Sequence, residues 1–159
     1  DGIRDAQESR GLGDVYKRQI FHLAIPAGNL NKSIPFYSEI LGCKLGEFEE
    51  GKWQDINFWG NELTLHETNQ RIKKGVERER HSVDMGNVCI PHFGIHLNWE
   101  HYLNVKSRVQ QSRGFLDQPY TRFKNQETEQ ETFFVEDPNG NVLEIKTMTN
   151  PEVLFEVTN

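Results

Sequence analysis

Apolar residues run almost unbroken through Ile20–Pro26 (IFHLAIP), the pattern of a buried strand, and Gly28-Asn29 ends it. Over Asn29–Gly42, Leu30, Ile34, Tyr37 and Leu41 recur at i, i+4, i+7 and i+11, which predicts a helix. Pro35 fits only near a helix start, so Ser33 is the expected N-cap, and Gly42 is the natural stop. Three short strands follow at Lys44–Glu49, Lys52–Trp59 and Glu62–Glu67, with turns at Gly51 and Gly60-Asn61. Thr68–Val88, with RIKKGVERER at its centre, has neither period and reads as a long loop. A solvated connection between two halves is favoured over a lid.

The pattern then restarts. Cys89–Leu97 (CIPHFGIHL) reads as a strand, and Asn98 caps a helix from Trp99 to about Arg113, with Trp99, Leu103 and Val109 on one side. Strands are expected at Gln118–Lys124, Thr132–Glu136 and Asn141–Met148, the last two joined by the turn EDPNG. The chain thus reads β-α-β-β-β twice. FHLAIP aligns with PHFGIH, which sets His22 opposite His92. WGNELTLHE aligns with NGNVLEIKT, which sets Thr64 opposite Glu144. One repeat is too small for a good core of its own, so the halves are expected to pack together as a single α+β domain over residues 20–150. Its parts are module one (20–68), a loop (69–88), module two (89–148) and a tail (149–159).

Residues 1–19 (DGIRDAQESRGLGDVYKRQ) match neither period. Asp14–Gln19 back-translates to GATGTGTATAAGAGACAG, the end of a transposase-type sequencing adapter. The stretch is therefore set aside as non-native or disordered. It holds four acids and four bases, so the formal charge of −6 belongs to the remainder. An acidic domain without a basic stripe argues against nucleic-acid binding, and no apolar run approaches membrane-spanning length. Cys43 and Cys89 sit in apolar surroundings without a CxxC pair, as two buried thiols of a cytoplasmic protein would. Ten Phe and three Trp suit a real core or an apolar pocket.

Histidines at equivalent repeat positions are the main chemical signal. His22, His92 and Glu144 make two imidazoles and a carboxylate, the facial triad that binds Fe(II) and leaves positions open for substrate and dioxygen. Each histidine taken singly also fits a structural role.

FHLAIP, FYSEILGCKLG, PHFGIHL and EDPNGNVLEIK together resemble the vicinal oxygen chelate superfamily, which includes glyoxalase I, bleomycin-resistance proteins and extradiol dioxygenases. The resemblance covers nearly all of residues 20–148. PHFG, Arg122-Phe123 and EQETFF are similar to a subgroup of small predicted dioxygenases. It implies paired βαβββ modules curling into a cup-shaped mixed sheet around a metal held by His22, His92 and Glu144. Fe(II) is the preferred metal, with Mn(II) or Zn(II) as alternatives. It also implies a small oxygenated substrate, dioxygen and a homodimer as partners.

Two departures shape the expected chemistry. Where glyoxalase-like members place a fourth ligand, this chain has Thr64, a poor ligand for Fe(II) or Zn(II). His66, two residues on, is expected to face the site without binding metal. In FFVEDPNGNVLE, Phe134 stands where the extradiol signature has Tyr, and no histidine lies near Gln126. His66, His96 and Tyr120 are the substitute acid/base candidates. Arg122 is the candidate for a substrate carboxylate, with a surface ion pair as its alternative. His81 and His101 read as solvent-facing. The resulting expectation is a metal-dependent, extradiol-type dioxygenase. The rivals are a glyoxalase-like lyase or isomerase, and a non-catalytic small-molecule binding protein.

Overall fold

The computed structural model describes residues 19–69 and 78–155. The proposed non-native stretch, except Gln19, and the centre of the 69–88 loop lie outside the described residues. Module one runs β1 (His22–Gly28), α1 (Leu30–Pro35) with a wide π turn (Phe36–Ile40), β2 (Lys44–Glu49), β3 (Trp53–Phe58) and β4 (Asn61–Glu67). Module two runs β7 (Phe93–His96), α2 (Trp99–Ser112), β8 (Asp117–Arg122), β9 (Gln130–Glu136) and β10 (Val142–Met148). Between them lies a hairpin of β5 (Glu79–Val83) and β6 (Gly86–Ile90). A 3₁₀ turn, Pro151–Phe155, follows β10.

Each module makes a four-stranded mixed sheet, in the orders β1-β4-β3-β2 and β7-β10-β9-β8. In both, the first strand lies parallel beside the last and the rest are antiparallel. The registers repeat too: Ala24 faces Thr64 as Gly94 faces Glu144. This is the doubled βαβββ unit read from the sequence. Among the described residues, no strand of one sheet pairs with a strand of the other.

The first helix differs from expectation for a backbone reason. Proline has no N–H to donate, so the regular ladder cannot continue through Pro35. The chain widens there, and Leu41 N–H reaches back to the Phe36 carbonyl. Ser33 is not the N-cap. Asn29 holds that position, and Ser33 is buried with its hydroxyl donating to the Ala27 carbonyl. Asn98 does cap α2, accepting from His101 N–H, but the helix buries Tyr102, Val105 and Val109 while Trp99 and Leu103 face outward.

One apolar cluster joins the modules. Ile56, Leu63 and Leu65 of sheet one and Phe133, Leu143 and Ile145 of sheet two pack with Phe36, Tyr37, Leu41, Tyr102, Val105 and Val109. Cys43 and Cys89 are buried free thiols. Polar struts reinforce the seam. Tyr37 Oη donates to Asp137 Oδ2 at 2.9 Å, Asn139 and Asn141 both donate to the Pro26 carbonyl, and Arg108 donates to the Ile40 and Leu41 carbonyls. The stretch expected to be a bare loop builds the β5–β6 hairpin instead. Its alternation was hidden by charge, since four of the five β5 residues are exposed.

Candidate functional site

Strand alternation puts Leu143 and Ile145 into the core and turns Glu144 to the opposite, outer face of sheet two. Glu144 is nonetheless buried. Its Oε1 accepts from Thr132 Oγ1 at 2.9 Å and from Arg122 Nη1 at 3.3 Å. Its Oε2 lies 3.1 Å from Lys146 Nζ and 3.4 Å from His92 Nε2. Burial alone would raise this carboxyl's pKa. The bonds from His92, Lys146 and Thr132 outweigh it and hold the pKa down to about 2.

His92 is not strand-borne as expected. It lies just before β7, after the cis Ile90–Pro91 peptide, and its ring edge meets Phe134. Its Nδ1 bonds the Cys89 carbonyl, which can only accept, so Nδ1 carries the hydrogen. In a neutral ring the Nε2 lone pair would then face the Glu144 carboxylate. Two electron donors in that position need a proton or another cation between them. The Glu144 bond accordingly raises the His92 pKa, against the opposing pull of burial.

His96 pairs with Lys146 across β7 and β10 and lines one cavity of about 480 Å³ with His92, Glu144 and Lys146. Its buried Nδ1 has no partner among the described residues, and burial followed by the Lys146 charge lowers its pKa. Arg122, expected to meet substrate or a surface partner, is only 8% exposed and pairs with Glu144. Its Nε is buried without a partner among the described residues. Tyr120 lies on the same strand, with burial raising its pKa.

The hairpin covers this face. Val88 and Cys89 pack on Phe134 and Val142, with Val83, Leu116 and Tyr120 around them. Arg78 pairs with Glu136, Arg80 with Asp117, and Phe123 N–H donates to Asp84 Oδ2. Gly86 lies so close to Tyr120 that an added Cβ would be 2.2 Å from the phenol oxygen.

The outer face of sheet one is open by comparison. His22 pairs with Glu62 at 3.4 Å, and both are exposed. Thr64 donates to Asp55 Oδ1 at 2.6 Å, and His66 is exposed. His81 and His101 are exposed as well. Of the sequence-derived triad, His92 and Glu144 meet while His22 has a different partner. Among the described residues, no group of three or more His, Cys, Asp or Glu converges closely enough for a metal. Thr132 and Lys146 were not anticipated around Glu144. Lys146, two positions along the same strand, was within reach of parity, whereas Thr132 required the β9–β10 register.

No helix among the described residues is long and apolar enough to cross a membrane. No curated protein matches the chain. Solved structures do. A glyoxalase/bleomycin resistance protein/dioxygenase from Alicyclobacillus acidocaldarius is 29% identical, with a TM-score of 0.69 over 86% of this chain and 96% of that one. A lactoylglutathione lyase from Agrobacterium tumefaciens is 18% identical, with a TM-score of 0.57 over 81% and 92% of the two chains. The fosfomycin resistance protein FosX from Listeria monocytogenes is 15% identical, with a TM-score of 0.59 over 83% and 94%. These last two share the fold. The sequence profile of one family covers residues 19–145, both modules together. With its doubled βαβββ architecture, the chain belongs to the glyoxalase/bleomycin resistance protein/dioxygenase superfamily.

Proposed function

We propose that this chain is a metal-dependent enzyme of extradiol-dioxygenase type, with His22, His92 and Glu144 holding Fe(II). The donor set at module two suits such an ion: an imidazole with its tautomer fixed by Cys89, and an ionised carboxylate 3.4 Å away, facing each other where either a proton or a metal ion can sit. Bound there, Fe(II) supplies Lewis acidity to two neighbouring substrate oxygens and a place for dioxygen.

The observation that carries the choice over a glyoxalase-like lyase is Thr64. Its hydroxyl is committed to Asp55, so module one offers no fourth ligand at that position, and a three-ligand site keeps more positions open. Arg122 and Thr132 orient Glu144 through Oε1, leaving Oε2 for the cation. Lys146 neutralises Oε2 in the ion's absence. His96 lines the same cavity and is the proton acceptor we assign ahead of Tyr120, which the hairpin covers, and His66, which lies on the other module's face.

His22 comes from a second copy of the chain in this reading. Ile20 and Phe21, which precede it in the chain, are exposed apolar side chains. The test is metal content after anaerobic reconstitution with Fe(II). Wild type should bind one ion per chain with substrate-dependent oxygen uptake, and His92→Ala and Glu144→Gln should lose it. Mixing His22→Ala with His92→Ala restores about a quarter of the sites if His22 acts in trans, because random pairing makes half the dimers hybrid. No restoration would overturn the second-copy route. Wild-type protein without metal would overturn the assignment.

A further inference from the structure

We infer that the substrate carries an apolar body, which sits in the cleft between the modules while its oxygenated head lies at Glu144. The inference rests on the functional reading above for the head and on the cleft's own walls for the body. A cavity of about 520 Å³ opens where module one meets module two, within the range of small-molecule pockets. Leu23 and Ile25 of β1 form one wall, and Ile90, Pro91, Phe93 and Val142 form the other.

Its polar groups are already occupied. Arg78 is bound to Glu136 and to the Gly140 carbonyl, Glu79 to His81, and the Asn141 amide to Asp137 and the Pro26 carbonyl. Glu79 is exposed to solvent at the rim, so the cleft recognises chiefly by apolar burial. The charged partners lie in the neighbouring cavity, with Glu144, Lys146 and His96. His92 and Phe93 line both cavities, so the two meet at the proposed ligand itself. A molecule with both ends satisfied is amphipathic: oxygens toward His92 and Glu144, a ring or branched alkyl group against Leu23, Ile25 and Val142.

Anilinonaphthalene sulfonate, an aromatic body with one anionic head, is the probe. Wild type should bind one probe per chain, saturably. Leu23→Trp on β1 and Ile90→Trp on β6, both half-buried, fill the cleft from opposite sides and should each weaken binding by about tenfold or more, equivalent to ~1.4 kcal/mol. Fe(II) content of the same samples separates the two readings. Metal bound without probe binding overturns the apolar subsite and leaves the metal assignment. Probe binding that both tryptophans weaken, without metal, does the reverse. Unchanged probe affinity in both variants overturns the subsite. So does a shift in sedimentation without a shift in probe affinity, which would mean that a second copy covers the cleft.

Discussion

Replacing Tyr37 by Phe isolates one strut between the modules. Tyr37 belongs to the module-one helix and is fully buried, and its hydroxyl donates to Asp137 in the β9–β10 turn of module two. Asp137 is buried and accepts three further bonds, from Asn139 N, Asn141 N and Asn141 Nδ2. Phe fills the same space, so the change removes one hydrogen bond to a buried carboxylate and creates no large cavity. Such a bond contributes roughly 1.5–3 kcal/mol, and because three donors remain the expected loss is about 2 kcal/mol. In a domain of this size that lowers Tm by roughly 4–8 °C.

The pH dependence is a second signature. Burial raises the Asp137 pKa above its unfolded value, while its hydrogen bonds, Tyr37's among them, pull it back down. A raised folded-state pKa means the native state binds more protons between the two values, so stability falls as pH rises through that window. Removing the Tyr37 bond widens the window. The variant's deficit should therefore be largest at neutral pH and shrink as the solution is acidified and Asp137 protonates. Urea titrations of wild type, Tyr37→Phe, Asp137→Asn and the double variant close a cycle, with an expected coupling of about 2 kcal/mol. A single-variant loss below about 0.5 kcal/mol, or a deficit that grows toward acid, would refute the reasoning.

Gly94→Ala should be severe: its Cβ would lie 1.8 Å from the Glu144 carbonyl oxygen, backbone that cannot step aside, and urea titration should show a loss of about 3 kcal/mol or more. Gly86→Ala should lift the hairpin from Tyr120 at a milder cost of about 1–2 kcal/mol, visible as faster amide exchange over β5 and β6. Combining it with Tyr120→Phe removes the clashing oxygen and should recover part of that loss in the same urea assay.

The doubled module was legible because strand and helix periods survive in a single sequence, and because the repeat sets His22 on His92 and Thr64 on Glu144. Burial of Cys43 and Cys89 followed from their neighbours. The hairpin escaped because its exposed strand carries Glu79, Arg80, His81 and Ser82, with little apolar alternation to read. The outward turn of Trp99 and Leu103 escaped because periodicity gives a stripe but not the side on which a sheet will lie. The partners of Glu144 depend on the β9–β10 register and on Arg122 reaching across from β8, relations that only tertiary pairing creates. The same applies to His22, whose meeting with Glu62 follows from the parallel register of β1 and β4.

The β5–β6 hairpin has a consequence for electrostatics. Two sheets of one design present faces of the same layout, yet only one carries a third layer of protein. On sheet one His22, Glu62 and His66 meet solvent, which weakens charge interactions among them, whereas Glu144 lies in a drier medium where the same charge at the same distance attracts several times more strongly. The inserted hairpin, which supplies no proposed ligand side chain, breaks the symmetry of the duplicated fold.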